Sequence, residues 1–187
     1  MAMNFRAAAR RKAKARIGVT GPAGAGKTYS ALLIAKGLVR GGRVVVIDTE
    51  SQSADLYAGV KGLPAFDVGV LEPPFSPDRY VEALRAAEEA GYDVIIIDSL
   101  SHVWIGSGGV LEIKDKIAGR GGNSYTAWND AGRLYNTVVD AVLRSKCHVI
   151  VAMRSKMEHV QEENEKGKKV VRKLGMAPQI REGFEYE

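Results

Sequence analysis

Gly21-Pro22-Ala23-Gly24-Ala25-Gly26-Lys27-Thr28 has the spacing G-x-x-x-x-G-K-[ST]. Ile17-Gly18-Val19-Thr20 before it reads as part of a short buried strand at about 16–20, and Tyr29 to Arg40 after it as a helix. A strand, this loop and a helix form the context in which such spacing makes a phosphate-binding loop. Gly21, Gly24 and Gly26 let the backbone curl until successive N–H groups point into one concavity. The helix that follows adds its own unpaired N–H groups and positive dipole end. On this reading Lys27 reaches the β- and γ-phosphates and the Thr28 hydroxyl ligates Mg²⁺. Residues 21–29, Tyr29 included, then contact the nucleotide, with ATP and Mg²⁺ as the expected cofactors. A chance Gly-rich turn is the competing reading, and the flanking strand and helix argue against it.

Outward from the loop, strand and helix patterns alternate, which predicts an α/β fold with a mainly parallel sheet flanked by helices on both faces. Val44-Val45-Val46-Ile47 and Val94-Ile95-Ile96-Ile97 are continuous apolar runs of the kind found in strands covered on both sides. Phe66 to Leu71 reads as a weaker strand and His148 to Met153 as another buried one. Ser76 with Pro77 marks a helix start, and Thr126 is the expected cap of a long helix carrying Trp128, Leu134 and Val142. Residues 101–125 read as irregular and Gly-rich around a short helical piece near 110–117. The charged stretch 158–174 reads as an exposed hairpin, and Phe184-Glu185-Tyr186-Glu187 as the opening of one more strand.

Three acidic residues fall at predicted C-terminal strand ends, where ligands of parallel sheets sit: Asp48, Glu50 and Asp98. Asp98 follows four β-branched residues and is the expected second Mg²⁺ ligand, against the alternative of an ordinary strand-end acid. Glu50 is the expected catalytic base for an attacking water, with Asp48 as the competing base and a surface role as the plainer alternative. Arg154 and Lys156 follow the later strand, and either could sense the γ-phosphate or be a solvated charge.

The 187 residues suffice for one domain with a core, and 45% hydrophobic with 26% charged residues is ordinary for a soluble globular chain. No apolar run approaches a membrane span. The single Cys147 has no partner in the chain, which suggests a reducing, cytoplasmic setting. Of the net charge of +5, Arg6, Arg10, Arg11, Lys12, Lys14 and Arg16 supply six positive charges before Ile17, so the remainder carries −1. Residues 1–15 therefore read as a basic arm, suited either to nucleic-acid phosphates or to solubility alone, ahead of an ATPase core at 16–187.

His102, Trp104 and Tyr125 with Lys114, Lys116 and Arg120 combine stacking surface and positive charge, the pairing used on single-stranded DNA, although aromatics beside a core strand more often pack. Lys168, Lys169 and Arg172 either pair with the preceding glutamates across the hairpin or reach DNA or a neighbouring subunit. No His/Cys cluster suggests zinc, and no Ser-His-Asp arrangement is recognisable.

With these residues in place the chain resembles the RecA-like P-loop ATPases, and more narrowly the phage-encoded nucleotide-binding proteins related to RecA-type recombinases and linked to single-strand annealing. The resemblance runs from about Arg16 onward. It rests on residues 21–28, Asp48-Thr49-Glu50, Ile95-Ile96-Ile97-Asp98-Ser99, Met153-Arg154-Ser155-Lys156, and Glu162-Glu163-Asn164-Glu165-Lys166-Gly167-Lys168-Lys169. It implies a strand between those of Gly21 and Asp98, Glu50 as catalytic base, ATP sandwiched between protomers of a homo-oligomer, and single-stranded DNA bound by loops after the later strands. A single-strand-binding protein is a further expected partner. Arg154 stands where RecA itself has glutamine. The rival classes are a small-molecule or nucleoside kinase, a partitioning-type or partner-regulated P-loop ATPase, and a nucleotide-binding module that does not hydrolyse. Pro22 takes the neighbourhood where partitioning ATPases carry an extra lysine.

Overall fold

The computed structural model describes residues 7, 13–39, 41–119, 123–163 and 169–181, with backbone alone for 158–163 and 169–174. The expectations for Arg120, for Lys168 and for the strand opening at Phe184 lie outside the described residues.

Five strands run parallel: β1 (Arg16–Gly21), β2 (Val44–Asp48), β3 (Asp67–Val70), β4 (Val94–Asp98) and β5 (His148–Glu163). Their order across the sheet is β1-β5-β4-β2-β3, so β5 lies between the strand of the phosphate loop and the strand of Asp98. β2 and β4 are buried at every position because both faces of the sheet are covered. Alternate side chains feed two separate cores. Val45, Ile47, Ile95, Ile97, Val149 and Val151 point to the side of α2 (Pro77–Glu89) and α5 (Ser124–Arg144). Val44, Val46, Val94, Ile96 and Ile150 point to the side of α1 (Lys27–Leu38), where they meet Ala31, Leu32 and Ala35. The two-residue strand period thus turns each apolar run into two packed interfaces. Each fully buried valine or isoleucine contributes about 1.5–3 kcal/mol over its exposed state.

Two local expectations are corrected. Most of the described residues in 101–125 are helical: α4 (Val110–Gly119) is the short helical piece expected near 110–117, and α3 (Ser101–Ile105) ahead of it replaces the expected irregular chain. The glycines punctuate these helices rather than dissolve them; a Cβ at Gly108 would lie 2.4 Å from a carbon of Pro74, so that glycine is needed for close approach. The long helix α5 is capped by Asn123, whose side chain accepts from the Tyr125 N–H at 2.9 Å, and not by Thr126, whose hydroxyl donates back to the Asn123 carbonyl.

β5 continues past the sheet and pairs antiparallel with β6 (Lys169–Pro178) from Ser155↔Pro178 to Glu163↔Lys169, with an irregularity at Glu158/His159. Lys169 and Arg172 lie on this second strand. Arg16, counted above with the basic arm, has a structural place. Its guanidinium donates to the carbonyls of Leu143 and Cys147, at 3.1 and 2.7 Å, and to that of Ser145, satisfying carbonyls at the end of α5. Among the described residues no helix is long and apolar enough to cross a membrane.

Candidate nucleotide site

Gly24 and Gly26 both have positive φ, 75° and 79°, and Gly26 is the left-handed N-cap of α1. A side chain at either position would be strained, so the loop needs both glycines to turn its N–H groups inward. Lys27 lies back across the loop and donates to the Pro22 carbonyl at 2.9 Å. The Thr28 hydroxyl, on the first turn of α1, donates to Asp98 Oδ2 at 2.5 Å. The parallel register Asp48↔Asp98 sets both acids at the same edge of the sheet, and the Thr49 N–H donates to the Asp98 carbonyl.

These elements enclose a cavity of about 250 Å³ lined by Ala23, Gly24, Gly26, Lys27, Thr28, Glu50, Ser53, Leu56, Tyr57, Asp98 and Arg154. Gly21, Pro22 and Ala25 form the loop behind this lining. Tyr29 does not line it: it points outward from α1 and its ring meets that of Tyr57 at 6.2 Å, because the residue after Thr28 already faces away on the helix. Lys156 is exposed and also outside the cavity, since residues two apart on a strand are separated along it even when they share a face. Arg154, at the sheet edge opposite Gly21, is inside.

Glu50 is paired with Arg154. Arg154 Nε donates to Oε1 at 2.7 Å and a second guanidinium nitrogen donates to Oε2. His102 Nε2 stands 3.9 Å from the same Oε1. Burial opposes ionisation of Glu50, but the Arg154 hydrogen bonds and charge, helped by His102 and Lys27, hold its carboxyl below the usual range. Asp98 shifts the other way: burial raises it and the charges of Glu50 and Asp48 add, against the Thr28 hydrogen bond. Asp48 is buried and accepts the Glu50 N–H on Oδ1 and the Ala54 N–H on Oδ2, so it shapes the turn that carries Glu50.

Thr28 and Asp98 fit a magnesium ion by donor chemistry: two oxygens at hydrogen-bond separation, beside the loop that holds phosphates. Among the described residues no group of three His, Cys, Asp or Glu side chains could hold a metal alone, so phosphate and water oxygens would complete the shell.

Three features were not singled out from the sequence. The 3₁₀ turn Ser53–Tyr57 brings Leu56, 80% exposed, and Tyr57 to the cavity wall. An exposed Leu-Tyr pair soon after a strand-end acid was the available signal. Ser101 Oγ accepts the Arg154 N–H at 2.9 Å, fixing the strand at the pair. Thr49 binds the backbone after Asp98, with its hydroxyl accepting the Ser99 N–H at 2.7 Å.

The proposed DNA aromatics divide. Trp104 packs inward, edge-on to Tyr135 at 5.4 Å, and stacks on Trp128 at 6.3 Å. Trp128 and Tyr125 are 44% and 72% exposed, with Lys114 4.9 Å above the Trp128 ring. Lys114 and Lys116 also pair with Asp115 and Glu112, each at 2.5 Å.

The parallel order with a strand between the loop and Asp98, and a loop lysine, hydroxyl and acid in one cavity, define a P-loop nucleotide-binding domain. The family described as "AAA domain" matches residues 13–187, and the chain belongs to that family, a group of P-loop ATPase-type domains. A comparison with curated proteins gave no match.

Proposed function

We propose that the protein binds ATP with Mg²⁺ and hydrolyses it, and that it couples hydrolysis to single-stranded DNA as a RecA-like protein of phage recombination, annealing or repair in the host cytoplasm. The observation that carries the hydrolytic part is the convergence of Lys27, Thr28, Asp98, Glu50 and Arg154 on one cavity.

Lys27 and the loop N–H groups hold the phosphates. Mg²⁺ on Thr28 and Asp98 offsets phosphate charge when bound. Glu50 accepts a proton from a water whose oxygen bonds to the γ-phosphorus. The bond from that phosphorus to the β–γ bridging oxygen breaks, and ADP and phosphate leave. Arg154 exchanges the Glu50 carboxylate for γ-phosphate oxygens, which both reports the nucleotide and releases the base. Tyr57 supplies an aromatic surface beside the phosphates.

Coupling to DNA is supported by three features. β5 carries Arg154 and runs on into the hairpin with β6, and the Gln179 N–H after β6 donates to the Arg154 carbonyl at 2.6 Å. α3 carries His102 at Glu50 and Trp104 against Trp128. Exposed Trp128, with Lys114 over its ring, and exposed Tyr125 suit base stacking. A second copy with ATP at the shared interface, with Arg120, Lys168, Lys169 or Arg172 reaching it or DNA, and a single-strand-binding protein complete the proposed partners.

A kinase is the second reading, because a cavity of about 560 Å³, lined also by His102, shares Glu50 and Arg154 with the nucleotide site and has room for an acceptor. Phosphate release from Mg²⁺-ATP, measured with and without single-stranded DNA and with no other acceptor, separates the two. DNA-stimulated release is expected; phosphate transfer only to an added small molecule would overturn the ATPase.

A further inference from the structure

We propose that His102 is a positioning residue for Glu50, holding the carboxylate in place after Arg154 has turned to the nucleotide. The inference rests on the reading of Glu50 as the general base. Among the described residues Arg154 donates to Glu50, and His102 Nε2 stands 3.9 Å from Glu50 Oε1, outside hydrogen-bond distance while Arg154 holds the carboxylate. Arg154 is the one that can leave, since its side chain is 39% exposed and also lines the phosphate cavity.

His102 cannot follow. Its side chain is 13% exposed, its ring stacks on Phe75 with centroids 4.9 Å apart, and its Nδ1 is 2.8 Å from the Thr49 hydroxyl oxygen. Thr49 is itself buried and accepts the Ser99 N–H. This role requires the proton on Nε2, facing the carboxylate, with the Thr49 hydroxyl donating to Nδ1 at 2.8 Å in place of the Ser99 carbonyl 3.1 Å away.

The pairing has a chemical consequence. A carboxylate clamped by a guanidinium is a weak base, whereas one steadied by a neutral imidazole keeps its direction and more of its basicity. Burial first, and then the Arg154 charge, lower the His102 pKa against the raising effect of Glu50, which favours the neutral ring that this role requires.

The test uses the full chain with His102→Gln, His102→Asn and His102→Leu, reading kcat, KM, nucleotide affinity and thermal melting with Mg²⁺-ATP. Glutamine places an amide N–H near the position of Nε2; asparagine keeps the Thr49 contact without that reach; leucine keeps only bulk. The expected result is kcat within about 3-fold of wild type for glutamine and about 10-fold or more lower for the other two, with KM and affinity within about 2-fold throughout. The glutamine–asparagine comparison stands even where leucine fails to fold. Wild-type turnover in the asparagine variant, or a glutamine variant as slow as asparagine, overturns the role of His102 alone. A wild-type protein without turnover overturns the Glu50 reading and this inference with it.

Discussion

Arg154 grips both carboxylate oxygens of Glu50, joining the strand that continues into the β5–β6 hairpin to the turn that follows β2. The pair is partly open to solvent, so its own contribution to stability is about 1 kcal/mol or less. Its sign with pH is fixed by the lowered Glu50 pKa: the contribution is present above the carboxylate's unfolded value and is lost as pH falls through the folded one. Arg154→Ala is therefore expected to lower the melting temperature slightly at neutral pH and to approach wild type only as pH falls below the carboxylate's unfolded value and through its lowered folded one. Hydrolysis should fall by about 10-fold or more, since the variant has no positive charge to offer the γ-phosphate. Melts across that pH range with parallel turnover assays check both.

Lys27 makes one described hydrogen bond, to the Pro22 carbonyl of its own loop, while the fold of the loop comes from Gly24 and Gly26. Lys27→Ala should leave the melting temperature of the nucleotide-free protein within a degree or so, a surface-type change. Nucleotide affinity should drop by about 10-fold or more, because a charge-assisted hydrogen bond to phosphate is removed. Titration with a fluorescent ATP analogue reads the affinity, and undiminished binding would remove Lys27 from the site.

Burial first, and then the charges of Glu50 and Asp48, raise the Asp98 pKa against the Thr28 hydrogen bond. A raised carboxyl pKa costs stability at neutral pH and nothing below the unfolded value near 4. Asp98→Asn should accordingly melt higher than wild type at pH 7, with the gain shrinking as pH falls. Turnover should drop by about 100-fold or more as the metal ligand is lost. Such opposition between stability and activity marks a site carboxylate and distinguishes it from a packing residue.

The parts of the site that follow from chain order were legible. Residues 21–28, Asp48, Glu50 and Asp98 sit at strand ends that apolar runs such as Val94–Ile97 announce. The α/β class followed from those runs too, because a strand covered on both sides leaves no polar alternation. Pairings between distant segments were not legible. Arg154 and Glu50 are 104 residues apart and meet only because β5 enters between β1 and β4. α3 was hidden because five residues are too few for a helical period. Arg16 reads as free charge in the sequence because its carbonyl partners at 143–147 are backbone groups that no side-chain pattern reveals.

Ala15 is tied to the sheet: its N–H donates to His148 Nδ1 at 2.9 Å and its carbonyl accepts from Val149. Removal of residues 1–12 leaves that anchoring intact, so such a deletion tests the arm's charge without disturbing β1. Affinity for a single-stranded oligonucleotide should fall most at low salt. The slope of log affinity against log salt should shrink by about 0.7 for each phosphate that the arm neutralises. An unchanged slope would make the arm a bystander.

The most direct measurement is steady-state phosphate release from Mg²⁺-ATP by wild type and Glu50→Gln, with nucleotide affinity measured alongside. The variant should bind ATP as tightly as wild type and release phosphate about 10²–10⁴-fold more slowly, the loss of one general base. A variant that turns over at the wild-type rate would contradict it.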